Sequence, residues 1–105
     1  MSPFEIIAQT TQAIAADPSD ADAYKQRAVT LCQMQQYDDA MQDLDTLIDT
    51  LHTEDDEIYQ LRGTLRMQRG DKTGALDEMR MALDLNPHLL EHLNGEFKSG
   101  KSNCQ

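Results

Sequence analysis

Histidines and acidic side chains are the residues whose spacing could support chemistry. His88 and His92 are one helical turn apart, a spacing at which two imidazoles can bind one metal ion, with Glu91 as a third ligand. The acidic run at residues 54–57 could attract calcium, but it lacks the alternating oxygen ligands and central glycine of a calcium loop. Acids at the start of a helix more often complement the helix dipole. We therefore predict no metal and no cofactor.

Motifs for covalent catalysis are missing from the sequence as well. Cys32 lies in a helical pattern and Cys104 in a polar tail, so the two cysteines do not form a disulfide framework. The sequence has no phosphate-binding loop, no nucleophile motif and no cysteine pair at metal spacing. We predict that the protein is not an enzyme and has no catalytic residues. A metal-binding or enzymatic protein is the weakest of three alternatives.

Charge restricts the class of partner. The formal net charge is −10, and no Lys or Arg occurs from Ala28 to Leu61, where nine acidic residues are found. A nucleic-acid binder needs a basic surface to displace counterions from phosphates. The composition therefore predicts no nucleic acid and no membrane as partner, and favours a basic or neutral protein or peptide.

Targeting signals are not recognisable at the N-terminus, which has neither a basic start nor a long apolar run. No segment approaches the ~18 apolar residues of a membrane span. We predict a cytoplasmic location.

An internal repeat organises the chain. Residues of similar type recur at a spacing of 35: Tyr24 and Tyr59, Arg27 and Arg62, Ala28 and Gly63, Ala40 and Ala75, Leu44 and Met79. Pro18 and Pro87 lie 69 apart, which corresponds to one repeat of 34 residues and one of 35. The sequence predicts that the extra residue lies in a polar loop between Leu51 and Tyr59.

Helical periodicity runs through both repeats. Apolar residues form one stripe in each second helix, and sparse β-branched residues favour an all-α protein. The pattern predicts six helices, at about residues 3–16, 21–35, 38–51, 56–69, 72–85 and 88–98. Leu89, Leu90, Leu93 and Phe97 share one face of the last helix, which we expect to cover the end of the stack.

These repeats resemble the tetratricopeptide-repeat (TPR) family. The family's large aromatic, small and large apolar positions are occupied in one repeat by Tyr24, Ala28, Ala40 and Leu44, and in the next by Tyr59, Gly63, Ala75, Met79, Ala82 and Pro87. The resemblance implies a short helical solenoid of antiparallel helix pairs in one domain, residues 1–105. Its parts are an N-terminal half repeat (3–20), two repeats (21–55 and 56–89), a C-terminal capping helix (90–99) and a flexible tail (100–105).

The resemblance also implies a concave groove, lined chiefly by the first helix of each repeat. Its positions in this sequence are Asp22, Lys25, Val29, Cys32, Gln33, Glu57, Gln60, Thr64, Met67 and Gln68. The subset of the family that grips a C-terminal carboxylate uses Lys and Asn side chains, and only Lys25 matches. A carboxylate clamp needs fixed donors around the anion, so we expect a different ligand.

Our leading interpretation is a non-catalytic scaffold or adaptor that binds a protein or peptide in this groove. The alternative is a self-associating protein whose end helices stack or swap into a homodimer. Asp22 and Glu57 are acids of the groove, and the adjacent second helix contributes further acids. The combined negative field of these acids favours cationic partners. Those acids are Asp38, Asp39, Asp43, Asp45 and Asp49.

Overall fold

The computed structural model describes residues 1–91, and this part of the chain is helical without strands. The helices are α1 (Pro3–Ala16), α2 (Ala21–Gln33), α3 (Tyr37–Asp45), α4 (Asp56–Gln68) and α5 (Lys72–Leu85). A π-helical turn, Thr46–Thr50, continues α3. Residues 88–91 are again helical, while the rest of the predicted last helix and the tail lie outside the described residues.

Side-chain caps explain where the helices begin. Ser2, Asp20, Asp55 and Asp71 each accept a hydrogen bond from a backbone N–H in the first turn of the helix that follows, at 2.9–3.2 Å. These bonds satisfy N–H groups that have no partner inside the helix. Asp20 rather than Ser19 is the cap of α2, because the side chain of Ser19 bonds to Asp17 instead.

In both helix pairs, a residue with positive φ follows the first helix. Gly70 follows α4 with a φ of 84°, and Gln35 follows α2 with a φ of 63°. Both residues therefore adopt the left-handed conformation that ends many helices, and they lie 35 residues apart. The two repeats thus share this backbone conformation as well as their sequence pattern. Only the second repeat has glycine there, the residue that adopts it most readily.

A π-helical turn ends the second helix of the first repeat. The N–H of Leu51 donates to the carbonyl of Thr46 at 2.9 Å, five residues earlier, so this turn holds one residue more than an α-helical turn. Residues 37–50 and 72–85 are offset by 35 residues at both ends, so the turn does not lengthen the helix and the extra residue lies after it, in the loop where the sequence predicts it. Leu47 and Ile48 stay buried through this turn.

Neighbouring helices pack in chain order, each against the next, as antiparallel pairs joined by short turns. Ala40 is fully buried and Ala75 is 7% exposed, so both small residues of this repeat pair lie inside the packed helices. Tyr24 and Tyr59 are half-buried at the edge of the core. The core cluster is Ala28, Leu31, Ala40, Met41, Leu44, Leu47, Ile48, Ile58 and Leu65. The predicted all-α architecture of antiparallel helix pairs is confirmed.

Candidate protein-binding groove

The ten predicted groove residues lie on α2 and α4, the first helices of the two repeats. Seven are exposed and three, Lys25, Cys32 and Gln60, are half-buried. Val29 and Met67 are apolar side chains left 39% and 51% exposed. The surface is therefore accessible and of mixed polarity.

A pocket of about 320 Å³ lies between α2 and α4. Val29, Ile58 and Leu61 give it an apolar floor, and Lys25, Glu57, Gln60 and Thr64 complete its lining. Five of its seven lining residues are therefore predicted groove residues, namely Lys25, Val29, Glu57, Gln60 and Thr64. The sequence did not single out Ile58 and Leu61, which belong to the packing surface of α4.

A second pocket, of about 390 Å³, lies between α4 and α5. Its lining is Gln60, Gly63, Thr64, Met67, Gln68, Ala75, Leu76 and Met79. Gln60 and Thr64 line both pockets, so the two form one continuous surface along α4. Asp22, Cys32 and Gln33 line neither of these pockets and lie beside them on α2.

Lys25 is the groove's predicted cation, and its charge is already paired. Its Nζ donates to Asp55 at 2.7 Å and lies 3.7 Å from Glu57. The hydrogen bond to Asp55 raises the pKa of Lys25 despite partial burial. Because Asp55 also caps α4, this contact fixes the start of α4 against α2. Lys25 therefore acts chiefly within the fold.

Most acids of α3 are also paired within the fold. Asp43 is bound by Arg27, and Asp45 and Asp49 lie 3.0 and 3.7 Å from the Arg62 guanidinium. Asp38 is hydrogen-bonded to Arg69. Four of the five acids that we expected to add to the groove's negative field thus lie beside an arginine, and two of them, Asp45 and Asp49, share the charge of Arg62. Asp39 is exposed, and the net field is smaller than a count of acids suggests.

The sequence analysis missed a buried charge network between α4 and α5. Arg62 Nε lies 3.0 Å from Glu78, and Arg66 Nε lies 3.4 Å from the same carboxylate. The side chains of Arg62 and Glu78 are only 10% and 8% exposed. Burial lowers the pKa of Arg62, but its contacts with Glu78 and Asp45 outweigh this effect and raise it. The sequence did contain a signal for this network, because Asp43 and Glu78 are 35 residues apart, the same spacing as between their partners Arg27 and Arg62.

Cys32 is a free, half-buried thiol on α2 that packs against the hydrophobic core. Burial raises the pKa of this thiol above its ordinary value of 9.0, because the thiolate loses solvation. A raised pKa reduces the thiolate fraction at neutral pH, so this cysteine is not built as a nucleophile.

The candidate metal ligands are only partly within the described residues. His88 Nδ1 lies 3.8 Å from Glu91 and both side chains are exposed, while His92 lies outside the described residues. Within residues 1–91, no three His, Cys, Asp or Glu side chains converge on a common point. In the acidic run, Asp55 caps α4 and Asp56 accepts hydrogen bonds from Gln60 and Asn86.

The described part of the chain, residues 1–91, has no helix that is both long and apolar enough to cross a membrane.

Comparison with known proteins gives the class of fold. The tetratricopeptide repeat family model matches residues 10–42. Thirteen chains of solved structures match, among them the crystal structure of MamA, at a TM-score of 0.72 and 22% identity. The alignment covers 81% of this chain and 49% of the MamA chain, so this chain spans about half the length of that protein. No match was found among the curated proteins.

The resemblance to the TPR family is thereby confirmed, and the fold is that of a short TPR-type helical solenoid. At 22% identity, the likeness to MamA concerns the fold alone.

Proposed function

We propose that this chain is a non-catalytic interaction module that binds a protein or peptide partner along α2 and α4. The observation that carries the proposal is the continuity of the two pockets, of about 320 and 390 Å³, through Gln60 and Thr64. A surface of this kind accommodates an extended or helical segment better than a small molecule, because it is open along its length.

Binding would combine a few apolar anchors with hydrogen bonds to side-chain amides. Val29 and Met67 are exposed apolar side chains that a partner could cover, and most binding energy in interfaces comes from such anchors. Gln60, Thr64 and Gln68 border the same surface and can exchange hydrogen bonds with a partner backbone.

Charge still favours a basic or neutral partner over an acidic one. Asp22 and Glu57 are exposed on the groove, and the cation Lys25 is engaged by Asp55. Because the acids of α3 are largely paired, this preference should act more on association rate than on affinity. A cytoplasmic location stays a prediction.

Affinity capture with groove variants tests the proposal. V29R places a long charged side chain on the floor of the α2–α4 pocket and should abolish capture of a specific protein from cell lysate. M81R is the matched control, because Met81 is a similarly exposed apolar residue, at 44%, and lines neither pocket. Loss of the captured protein with both variants, or with neither, would exclude the groove as the binding surface.

Self-association is a second candidate, favoured by the apolar side chains at the two ends of the stack. Phe4 of α1 is 74% exposed and Leu76 of α5 is 59% exposed. Stacking or swapping of the end helices between two chains would bury such residues in a homodimer. Light scattering after size exclusion decides between the candidates: a stable dimer that F4E converts to a monomer would support self-association.

A further inference from the structure

The pocket between α2 and α4 combines an apolar floor with a charged rim. Of its apolar residues, Ile58 is 1% exposed, Leu61 is half-buried and Val29 is 39% exposed, so the floor extends from the core out to solvent. Glu57 also lines the pocket, and its side chain is 72% exposed. A side chain that enters this pocket would therefore meet both hydrocarbon and a solvated carboxylate.

The charges beside this pocket do not cancel. Lys25 is the single cation among the residues that line it within the described chain, and its Nζ donates to Asp55 at 2.7 Å. The same Nζ lies 3.7 Å from Glu57, beyond the usual hydrogen-bond distance. Two carboxylates thus share one ammonium group, and Glu57 is the more exposed of the two, at 72% against 25% for Asp55. Glu57 therefore retains the capacity to accept hydrogen bonds from a ligand.

A further acid lies on the same face of α2. Asp22, Lys25 and Val29 are at positions i, i+3 and i+7 of the helix, and Asp22 is exposed. The contact between Lys25 and Asp55 joins the starts of α2 and α4, so Asp22 lies at the same end of the helix pair as Glu57. Excess negative charge at this end attracts a cationic group.

We propose that the pocket between α2 and α4 binds a long basic side chain, arginine or lysine, of the partner segment. The methylene groups of this side chain would pack on Val29 and Leu61, and its charged end would contact Glu57. Arginine and lysine bind in this way because their stems are apolar and their ends are charged. This inference rests on the proposed function and adds the type of residue that the partner presents at this point of the groove.

Other classes of side chain fit this pocket less well. An acidic side chain would be repelled by Glu57 and Asp22. A purely aliphatic side chain would cover Val29 and Leu61, but it would also displace water from the Glu57 carboxylate without replacing the hydrogen bonds, which costs free energy. A guanidinium group can instead donate two hydrogen bonds to one carboxylate.

Butylguanidinium, a model of the arginine side chain, is the probe for this pocket. Pentanoate, of similar length and opposite charge, and neutral 1-butanol are the control ligands. The methyl resonances of Val29, Ile58 and Leu61 in NMR spectra of the full chain report binding. We expect butylguanidinium to shift these resonances saturably and the two control ligands to leave them nearly unchanged. The methyl resonance of Met81, which lies outside both pockets, should not shift with any of the three ligands.

Two matched variants test the role of the carboxylate. E57Q keeps the shape of the side chain and removes its charge, so it should weaken binding of butylguanidinium about two- to fivefold, as expected for a partly exposed ion pair. E54Q changes the net charge by the same amount at an exposed acid that does not line the pocket, and its affinity should equal that of the wild type. Circular dichroism checks that both variants keep the wild-type helix content.

Four results would overturn the proposal. Equal shifts with butylguanidinium and 1-butanol would make the pocket a purely apolar site. Equal weakening by E57Q and E54Q would assign the effect to net charge. A shift of the pocket methyl resonances in K98Q or K101Q without added ligand would show that a lysine of the same chain fills the pocket. Resonances that move with protein concentration would assign it to a second copy.

Failure of this inference is distinguishable from failure of the proposed function. Capture of a specific protein that V29R abolishes, but that E57Q leaves equal to E54Q, would keep the groove as the binding surface and exclude the basic side chain. Capture that V29R and E57Q both reduce, while E54Q does not, is the result that the inference predicts.

Discussion

Arg27 and Asp43 form a two-point ion pair that joins α2 to α3. The Nε and Nη2 atoms of Arg27 donate to the two carboxylate oxygens of Asp43 at 2.8 and 2.7 Å. Thirty-five residues later, Arg62 and Glu78 join α4 to α5 in the same place. Arg27 also lies 5.8 Å from the centre of the Tyr24 ring. The repeat therefore preserves a charge pair as well as an apolar pattern.

Removing the carboxylate of Asp43 should strongly destabilise the fold. The Asp43 side chain is 6% exposed and its partner Arg27 is 22% exposed, so D43A leaves a largely buried guanidinium without a counter-charge. We expect a loss of about 3 kcal/mol in the free energy of unfolding, measured by urea denaturation. D39A, at an exposed acid of the same helix, should change it by less than about 0.5 kcal/mol. Similar values for the two variants would show that the pair adds nothing.

Exchanging residues at the left-handed turn should change stability in opposite directions. Q35G relieves the cost of a side chain at a φ of 63° and should stabilise the protein by about 0.5–1 kcal/mol. G70Q imposes that cost at a φ of 84° and should destabilise it by a similar amount, because a Cβ there meets no atom within 4 Å. Thermal unfolding of the two variants measures the effect, and a shift of the same sign in both would contradict it.

The two equivalent alanines should respond differently to a charged side chain. Ala40 is fully buried, so A40E buries an unpaired carboxylate at a cost of several kcal/mol, comparable to the stability of a whole domain. Ala75 borders the open pocket, through which a longer side chain can reach solvent. We expect A75E to fold with a reduced melting temperature and A40E to lose cooperative unfolding. Equal loss in both would mean that the surface at Ala75 is covered.

The thiol of Cys32 should react slowly with iodoacetamide in the folded protein. Burial raises its pKa above 9.0, so the thiolate fraction at pH 8 is smaller than in the unfolded chain. The C104S variant leaves Cys32 as the sole thiol, and its alkylation rate should reach half its maximum above pH 9.0. A half-maximum below that pH would place a cation beside the thiol, which the structure does not show within residues 1–91.

Much of the fold could be predicted because each helix carries its own signal. Pro3 and Ser2 mark the start of α1, and the Gly70-Asp71 pair marks both the end of α4 and the cap of α5. The π-helical turn had no comparable signal, since Thr46–Thr50 continues the same apolar stripe and differs only in its hydrogen bonds. The π-helical turn itself could therefore not be predicted.

The candidate site was less predictable than the fold. The ten groove residues were taken from the resemblance to the TPR family, and they lie on α2 and α4. The charges of the site depend on which acid meets which arginine across helices, as Asp45 meets Arg62. The 59% exposure of Leu76 could not be predicted from local sequence, because Leu76 continues the apolar stripe of α5.

Site-specific photo-crosslinking tests the central claim most directly. A photoreactive amino acid at Gln33 or Gln68, both exposed and at groove positions on α2 and α4, should form a covalent adduct with a partner in lysate. The same amino acid at Met81, outside both pockets, should form none. Adducts from the groove positions alone are the result that our account predicts. An adduct from Met81 but from neither groove position would contradict it.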